Sequence, residues 1–263
     1  FDPGLGVTTA TSSGFDIFIA RYSSTGSLLW VKTVGGSSSD IAYSVDLDSS
    51  GNIYLTGEFR GTVDFDPGAG TVNLTASGSG SPDLFVLSLN STGNYRWAQR
   101  VGGTWLDTAY ALKVSGSAVY IAGEFSRTVD FNPGAGVNNL TAAGAVDGTD
   151  GFLLKLSTVS GAYVWAKAMG SSADDRVEDL AIDGAGNVYI VGWYNATSNF
   201  DPGGTGTSRT TNGGNDAFVS KYDASGTFQW VQTWGGGSTD QALAIAIDSS
   251  SNLFVTGSFA LTA

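Results

Sequence analysis

The chain has 263 residues and a formal net charge of −12, and it contains neither cysteine nor histidine. The two missing residue types exclude a disulfide framework, thiolate or imidazole metal ligands, and catalysis by Ser-His-Asp or cysteine nucleophiles. The acidic balance argues against nucleic acid and anionic membranes as partners, and no apolar run is long enough to insert into a membrane. Hydrophobic residues make up 41% of the chain, which predicts a packed core.

A repeat of about 66 residues runs through the whole sequence. Its four units open with an aspartate near residues 16, 83, 150 and 216. Each unit contains a tryptophan, then a glycine five residues later, then an aspartate five residues after that. The tryptophans are Trp30, Trp97, Trp165 and Trp230, and the glycines are Gly35, Gly102, Gly170 and Gly235. Fixed-period similarity is typical of repeat architectures, so we expect residues 1–263 to form one domain of four repeats.

Each unit predicts four short strands in chain order. In the first unit they are "DIFIARYS", "LLWVKTVGG", "AYSVDLD" and "IYLTGEF", with turns at "STG" and "DSSGN". Aromatic and β-branched residues dominate these runs, as they do in strands. The stretch "SADDRVEDLA" in the third unit could begin a helix. Because the other units have a strand at this position, we predict a strand here too.

This pattern indicates an all-β fold, namely a β-propeller of four blades with four antiparallel strands each. An open solenoid of four-stranded units is the alternative. The repeated tryptophan is expected to fill the space between neighbouring blades, and stacking on a ligand is the alternative role.

Several motifs in fixed order carry a resemblance to a known family. They are "D-[AIL]-F-V-x-K", "G-x-x-x-W", "GG", "I-D-x-x-G-N-[VI]-Y-[VIL]-x-G" and "FDPGAG". Together they resemble the bacterial beta-propeller repeat family abbreviated SBBP, over essentially the whole chain. The Gly-Asn hairpin also resembles the innermost hairpin of NHL-type blades. That likeness implies the strand order "AYSVDLD", "IYLTGEF", "DIFIARYS", "LLWVKTVGG" from the axis outwards. The family resemblance implies secreted or surface-attached proteins, and no specific reaction.

With this order the chain begins and ends inside one blade. Its first two strands are an outer pair, and its last two, near residues 242–248 and 253–259, are an inner pair. "TGSFALTA" at the end followed by "FDPGLG" at the start also reads like the internal "TGEFRGTVDFDPGAG". We expect the terminal hairpins to share the first blade and close a ring within the chain. Pairing between chains, which gives a polymer, is the alternative. A start at Phe1 suggests a processed piece of a longer chain.

The phrase "VDFDPGAG" and its counterparts predict a turn at the tip of a hairpin inserted between inner and outer strands. Calcium binding is the alternative, because each copy presents two oxygen-bearing side chains two residues apart. These candidate ligands are Asp64, Asp66, Asp130, Asn132, Asn199 and Asp201.

A second candidate site consists of the aspartates ten residues after each repeated tryptophan: Asp40, Asp107, Asp175 and Asp240. They are predicted in the loop that enters the innermost strand. There they could form a ring of carboxylates around the axis that binds a cation or raises their pKa values. The alternative is that each one caps its own loop through backbone N–H groups.

Aromatic residues that break the repeat form the third candidate site. Trp105, Trp193 and Tyr194 stand where other units have different residues, and an exposed aromatic ring suits stacking on a sugar. Filling unit-specific gaps or contacting proteins are the alternatives. Glu58 and Glu124 occupy equivalent positions, but nothing in the sequence pairs two carboxylates as a glycosidase needs. We therefore predict no enzymatic activity.

The sequence thus predicts a non-enzymatic structural or interaction module, secreted or on a cell surface. Adhesion or self-assembly into an array or filament is the expected activity, and a lectin-like, carbohydrate-binding propeller is the alternative. The expected partners are further copies of the chain, other surface proteins or glycans. Calcium is the one cofactor that the residues suggest.

Overall fold

The computed structural model describes residues 1–2, 8–144, 148–202, 204 and 207–261. Within these ranges the chain forms strands and turns and no helix. It follows that these ranges contain no helix long and apolar enough to span a membrane. Most of the opening phrase, at residues 3–7, and the last two residues, 262–263, lie outside the described ranges. The prediction that the last residues of the chain read on into its first residues therefore also falls largely outside the described ranges.

Three four-stranded antiparallel sheets form the body of the protein. Numbered in chain order, the strands of the first sheet are β3 (Ile41–Leu47), β4 (Ile53–Phe59), β7 (Asp83–Leu89) and β8 (Tyr95–Val101). Those of the second are β9 (Asp107–Ser115), β10 (Ala118–Ser126), β13 (Thr149–Ser157) and β14 (Tyr163–Met169). Those of the third are β15 (Arg176–Ile182), β16 (Val188–Tyr194), β19 (Asp216–Tyr222) and β20 (Phe228–Trp234).

Five two-stranded sheets complete the fold. Three are short hairpins inserted between the second and third strands of the large sheets: β5 (Thr62–Asp64) with β6 (Asn73–Thr75), β11 (Thr128–Asp130) with β12 (Asn139–Thr141), and β17 (Thr197–Asn199) with β18 (Ser208–Thr210). The other two are terminal hairpins: β1 (Ile17–Tyr22) with β2 (Leu28–Val34), and β21 (Gln241–Ile247) with β22 (Leu253–Ser258).

The predicted strand order is confirmed in all three large sheets. In each one, strands pair in the order that the family resemblance implied. The stretch considered as a helix start is strand β15. Strands β4, β10 and β16 are buried along their whole length, so both faces of each sheet are covered. The first strand of each sheet contacts the first strand of the next, from β3 through β9 and β15 to β21, which shows that consecutive sheets stack face to face.

Three of the four repeated tryptophans lie on a glycine turn of the following sheet. A Cβ atom added to Gly161 would come 2.8 Å from Cε3 of Trp97, and Gly161 has a φ of +68°. Trp30 lies in the same way on Gly93, and Trp165 on Gly226. Only a residue without a side chain allows both the left-handed turn and the close approach of the indole ring. The prediction that these tryptophans fill the space between sheets is therefore confirmed for these three contacts.

A cluster of three aromatic rings attaches each short hairpin to its sheet. In the first sheet Phe65, from the "VDFDPGAG" phrase, lies 5.2 Å from Phe59 and 5.2 Å from Phe85, measured between ring centroids. All three side chains are fully buried. The equivalent clusters are Phe125, Phe131 and Phe152 in the second sheet, and Tyr194, Phe200 and Phe218 in the third. Burying one such ring stabilises the fold by about 1.5–3 kcal/mol.

The two terminal hairpins are not joined to each other. In the described ranges β1–β2 and β21–β22 are separate sheets, and no strand pairing connects them. The first hairpin lies beside β3, whereas the last packs against β15, β16 and β19. The predicted blade shared by the two hairpins is thus not formed within this chain. Among the described residues the sheets thus form a series in which each one stacks on its successor, and the series begins and ends with a two-stranded hairpin.

The tryptophan–glycine contact can be tested with two alanine substitutions. Gly161→Ala should lower the free energy of unfolding by about 1–3 kcal/mol more than Gly26→Ala does. Both glycines have a positive φ, but an added Cβ at Gly26 meets no atom within 4 Å. Gly26→Ala therefore measures the backbone cost alone. Urea denaturation of dilute protein gives both values, and equal losses would contradict the packing role of Trp97.

Candidate functional site

The side chains proposed as calcium ligands serve as backbone acceptors in the turns. Oδ1 of Asp64 accepts hydrogen bonds from the backbone N–H groups of Asp66 (3.0 Å) and Val72 (2.8 Å). Oδ1 of Asp66 in turn accepts one from the N–H of Gly68 (2.8 Å). Asp130 and Asn132 accept the equivalent bonds in the second hairpin, and Oδ1 of Asn199 accepts one from the N–H of Asp201 in the third. Asp201 lies over Gly204, whose added Cβ would come 1.7 Å from its Oδ2.

These bonds support the turn interpretation over the calcium interpretation. The short hairpins place the phrase at their tips, as the sequence predicted. In the described part of the chain no three Asp, Glu, His or Cys side chains lie together in a group that could hold a metal ion. The first of these positions is an aspartate in two hairpins and an asparagine in the third. Both side chains carry an oxygen that can accept an N–H bond.

Asp40, Asp107, Asp175 and Asp240 do not come together as a cluster of three or more carboxylates in the part of the chain that the structure describes. Each carboxylate instead joins two segments of its own sheet. Oδ2 of Asp40 accepts a bond from the N–H of Gly36 (2.8 Å), and its Oδ1 accepts one from the N–H of Arg60 (3.0 Å). Asp107, Asp175 and Asp240 make the equivalent pairs of bonds and are buried. The loop-capping alternative therefore explains this repeated residue.

A second buried aspartate explains the repeated glycine. Asp83 is fully buried, and its Oδ2 accepts bonds from the N–H of Ser77 (2.9 Å) and from Arg100 (2.6 Å). Its carboxylate lies against Gly102, where an added Cβ would come 2.4 Å from Cγ. The pairs Asp150 with Gly170 and Asp216 with Gly235 repeat this contact. Oδ1 of Asp83, Asp150 and Asp216 has no hydrogen-bond partner. The sequence showed the periodic aspartate, but it gave no sign of this burial.

Burial raises the pKa values of several of these carboxyl groups. It raises the pKa of Asp107 to about 8, and the charge of nearby Asp83 adds to the effect. Burial likewise raises the pKa of Asp150 to about 7, with a contribution from Asp175. The pKa of Asp175 itself is raised by burial to about 6, against the opposing effect of its hydrogen bonds. The loss of hydration is thus larger than the stabilisation by N–H donors at these sites.

The glutamates considered for catalysis are fully engaged with neighbouring side chains. Carboxylate oxygens of Glu124, which is 2% exposed, accept bonds from the hydroxyl of Tyr110 (2.6 Å) and from Arg176 (2.8 and 3.1 Å). Glu58 accepts bonds from Arg60 (2.8 Å) and from the hydroxyl of Thr108 (2.8 Å). The bond from Thr108 to Glu58 and the bonds from Arg176 to Glu124 connect adjacent sheets, so the two glutamates contribute to the contacts within the stack.

Two of the three aromatic residues proposed for glycan binding are buried. Trp193 is 8% exposed, and its indole N–H donates to Glu178 (2.9 Å). Tyr194 belongs to the aromatic cluster of the third sheet and is 1% exposed. Neither ring is open to a sugar, and gap filling, the alternative, explains both. Trp105 alone is exposed, and the guanidinium of Arg127 lies 4.0 Å from its ring centroid. One face of that indole is therefore covered.

Exposed apolar side chains lie at the two ends of the sheet series. At one end, a groove of about 520 Å³ separates β1 from β3 and is lined by apolar side chains that include Tyr43 and Val45. At the other end, β22 has mostly exposed residues, although the equivalent strands β4 and β16 are buried throughout. Phe254 and Phe259 are 61% and 71% exposed. Large contiguous patches of exposed apolar side chains are a common feature of protein–protein contacts.

The role of Asp64 can be separated from calcium binding by two substitutions. Asp64→Ala should lower the free energy of unfolding by about 1–2 kcal/mol, because two backbone N–H groups lose their acceptor. Asp64→Asn should change it little, since Asn199 accepts the same kind of bond in the third hairpin. Urea denaturation measures both. Melting with calcium and with EDTA should give the same midpoint for the parent chain, and a calcium-dependent midpoint lost in Asp64→Asn would contradict the turn role.

The buried aspartates should make the protein more stable at pH 5 than at pH 8.5. Their pKa values are higher in the folded state than in the unfolded chain, so folding takes up protons between these limits. The free energy of unfolding should therefore fall as pH rises through about 6–8. Urea denaturation at both pH values should show a loss of about 1–3 kcal/mol.

A matched pair of variants identifies the source of that pH dependence. Asp150→Asn removes a buried carboxylate and should reduce the loss between pH 5 and pH 8.5. Asp223→Asn removes the same charge from an exposed position and should leave the loss unchanged, because hydrogen bonds lower the pKa of Asp223. A pH dependence that responds equally to both substitutions would show that net charge is the cause.

Comparison with known proteins identifies the repeat itself. Residues 29–58 match the sequence profile of the SBBP family, described as a beta-propeller repeat. This segment runs from β2 through β3 into β4, so it includes the glycine pair and the buried Asp40.

Two relatives align with most of the chain. An uncharacterized WD repeat-containing protein of Acanthamoeba polyphaga mimivirus is 24% identical over 237 residues, which cover 79% of this chain and 16% of that protein. The regulatory protein FlaEY of Caulobacter vibrioides is 26% identical over 245 residues, which cover 89% of this chain and 24% of that protein. The chain thus corresponds to less than a quarter of the length of either relative. The resemblance to the SBBP beta-propeller repeat is thus confirmed for residues 29–58, the segment that the family profile matches.

Proposed function

We propose that the chain is a non-enzymatic interaction module of the β-propeller type that acts outside the cell through self-assembly or adhesion. The finer architecture is part of this proposal: blades of four antiparallel strands, of which the terminal hairpins supply the two halves of the first blade, and these halves are joined when the module associates. The stack of sheets is a rigid support, and its free edges and loops contact the partner.

The exposed ends of the sheet series carry this proposal. Val45 and Leu47 on β3 are 61% and 56% exposed. Leu112 and Leu180, on the equivalent strands of the second and third sheets, are fully buried. A surface with the composition of a sheet interior therefore faces solvent at one end, and β21–β22 leaves a similar surface at the other. Covering such a surface is favourable by about 25 cal/mol for each Å² of apolar area.

The hydrogen bonds that the carboxylates accept support a non-enzymatic role. Glu58, Glu124 and the loop aspartates all accept hydrogen bonds that maintain the fold. A general acid–base pair instead requires two carboxyl groups that face a shared space for the substrate. The extracellular location is supported by composition alone: the chain is acidic, free of cysteine and rich in glycine.

Light scattering over a range of concentrations tests the interaction module. The expected mass lies above the 27.0 kDa of one chain and increases with concentration. A mass of one chain at every concentration, together with no binding to surface proteins or glycans, would contradict the proposal.

A carbohydrate-binding propeller is the second candidate function, and the exposed ring of Trp105 favours it. The free face of the indole could stack on a sugar, while Arg127 covers the other face. Binding to a glycan array should then be lost in Trp105→Ala and retained in Val137→Ala, which alters another exposed apolar side chain. Binding that survives Trp105→Ala would exclude this site.

A further inference from the structure

We propose that strand β22 of one copy pairs antiparallel with strand β1 of a second copy, in one defined register. The two terminal hairpins would then form a complete four-stranded sheet across the contact, in the order β21, β22, β1, β2. The inference rests on the proposed function and deepens it, because it names the partner as a second copy of this chain and specifies the contact.

The register follows from the three sheets within the chain. At each junction between inner and outer hairpins, a glycine lies opposite a phenylalanine: Gly57 opposite Phe85, Gly123 opposite Phe152, and Gly192 opposite Phe218. Gly257 and Phe18 occupy the same positions of the repeat. The same register therefore places Gly257 opposite Phe18 of the second copy, and Val255 opposite its Ala20.

The aromatic cluster of the fourth repeat is divided between the two ends. Phe1 and Phe18 lie 5.0 Å apart, as the equivalent Phe65 and Phe85 do at 5.2 Å. The third ring of the cluster, which is Phe59 in the first sheet, corresponds to Phe259 at the other end of the chain. In the complete clusters the rings are 0–1% exposed, whereas Phe18 and Phe259 are 59% and 71% exposed. The proposed contact reunites the three rings.

The tryptophan–glycine contact is divided in the same way. Trp230 corresponds to Trp30, Trp97 and Trp165, each of which lies on a glycine turn of the following sheet. Gly26 is the equivalent glycine of the first hairpin, with a φ of +83°, and no atom lies within 4 Å of an added Cβ. The second copy thus offers the empty turn that Trp230 would cover.

Two polar contacts between neighbouring sheets also have equivalent residues at the two ends of the chain. Nζ of Lys155 donates to the backbone oxygen of Ala224 in the next sheet (2.7 Å), and Arg21 donates to that of Ser91 (2.6 Å). Lys221 is the equivalent residue of the last complete sheet. Its Nζ lies 5.1 Å from the ring centroid of Tyr189, and that of Lys155 lies 5.0 Å from the ring centroid of Tyr120. The corresponding acceptor is the backbone oxygen of Ser24 in the second copy.

The groove between β1 and β3 has the position that the incoming hairpin requires. Inside the chain, the first strand of each sheet packs across the first strand of the sheet before it. By the same stacking, β21 and β22 of a second copy would enter this groove and cover Tyr43, Val45 and Leu47. The contact is head-to-tail, so each added copy leaves one free end of each kind and the assembly can grow.

Paired cysteines test the register, because the natural chain contains no cysteine. Directly opposite residues in an antiparallel pair have Cα atoms about 4.5–5.5 Å apart, within the range of a disulfide. The double variant Ala20→Cys with Val255→Cys should therefore give a ladder of disulfide-linked multimers after oxidation. The control, Ile19→Cys with Val255→Cys, places one thiol on the opposite face of β1 and should give no ladder.

The outcomes of this experiment distinguish the register from the proposed function. A ladder on a non-reducing gel, together with dimers when the two single variants are mixed, supports the head-to-tail contact. A disulfide within one chain and no ladder would overturn it in favour of ring closure. Multimers in light scattering without cross-linking would overturn the register and leave the interaction module standing. A monomer without any disulfide would overturn the contact between copies.

A substitution at an exposed aromatic residue gives an independent test. Phe259→Asp should weaken self-association at least about tenfold, because it places a charge in the reunited aromatic cluster. Val159→Asp introduces the same charge at a side chain that is 75% exposed, far from both ends, and should leave association unchanged. Both variants should melt like the parent chain when dilute. Equal association of the Phe259→Asp variant and the parent chain would overturn the proposal.

Discussion

Every complete sheet in this protein is apolar on both faces, and the rest of the structure depends on covering those faces. Strands β4 and β16 are buried residue by residue, which is possible only when a sheet lies on each side. A single repeat cannot satisfy this requirement, so each one stacks on its neighbours. The tryptophan on its glycine turn sets the spacing of that stack, and the aromatic clusters hold the short hairpins against it.

The same requirement determines what the polar residues do. Asp40 and its equivalents accept N–H bonds at the sheet ends, while Glu58 and Glu124 bond to residues of the adjacent sheet. Buried carboxylates are costly unless hydrogen-bonded, and the raised pKa of Asp107 shows how large that cost is. The aspartates predicted as a cation ring and the two glutamates considered for catalysis thus all make hydrogen bonds that support the fold.

The order and nature of the strands could be predicted because they depend on local patterns. Turn glycines, β-branched runs and the four-fold repetition each indicate the same hairpins, and the rejected helix at "SADDRVEDLA" is strand β15. The site residues were harder to interpret. Trp193 and Tyr194 break the repeat, yet they are buried by residues distant in sequence. Exposure depends on which sheet lies opposite, and a single chain's sequence does not state that.

By itself, the sequence determined the repeat, the strand order within each sheet, and the division of one repeat between the two ends of the chain. Only the tertiary structure decided that those ends stay apart. Strand pairing is encoded in contacts between neighbouring segments, so a repeat reveals it. Pairing of the terminal hairpins would instead join segments from the two ends of the chain, and a local pattern does not encode such a contact. In the structure Gly26 and Phe259 remain uncovered, although their equivalents are buried or in contact.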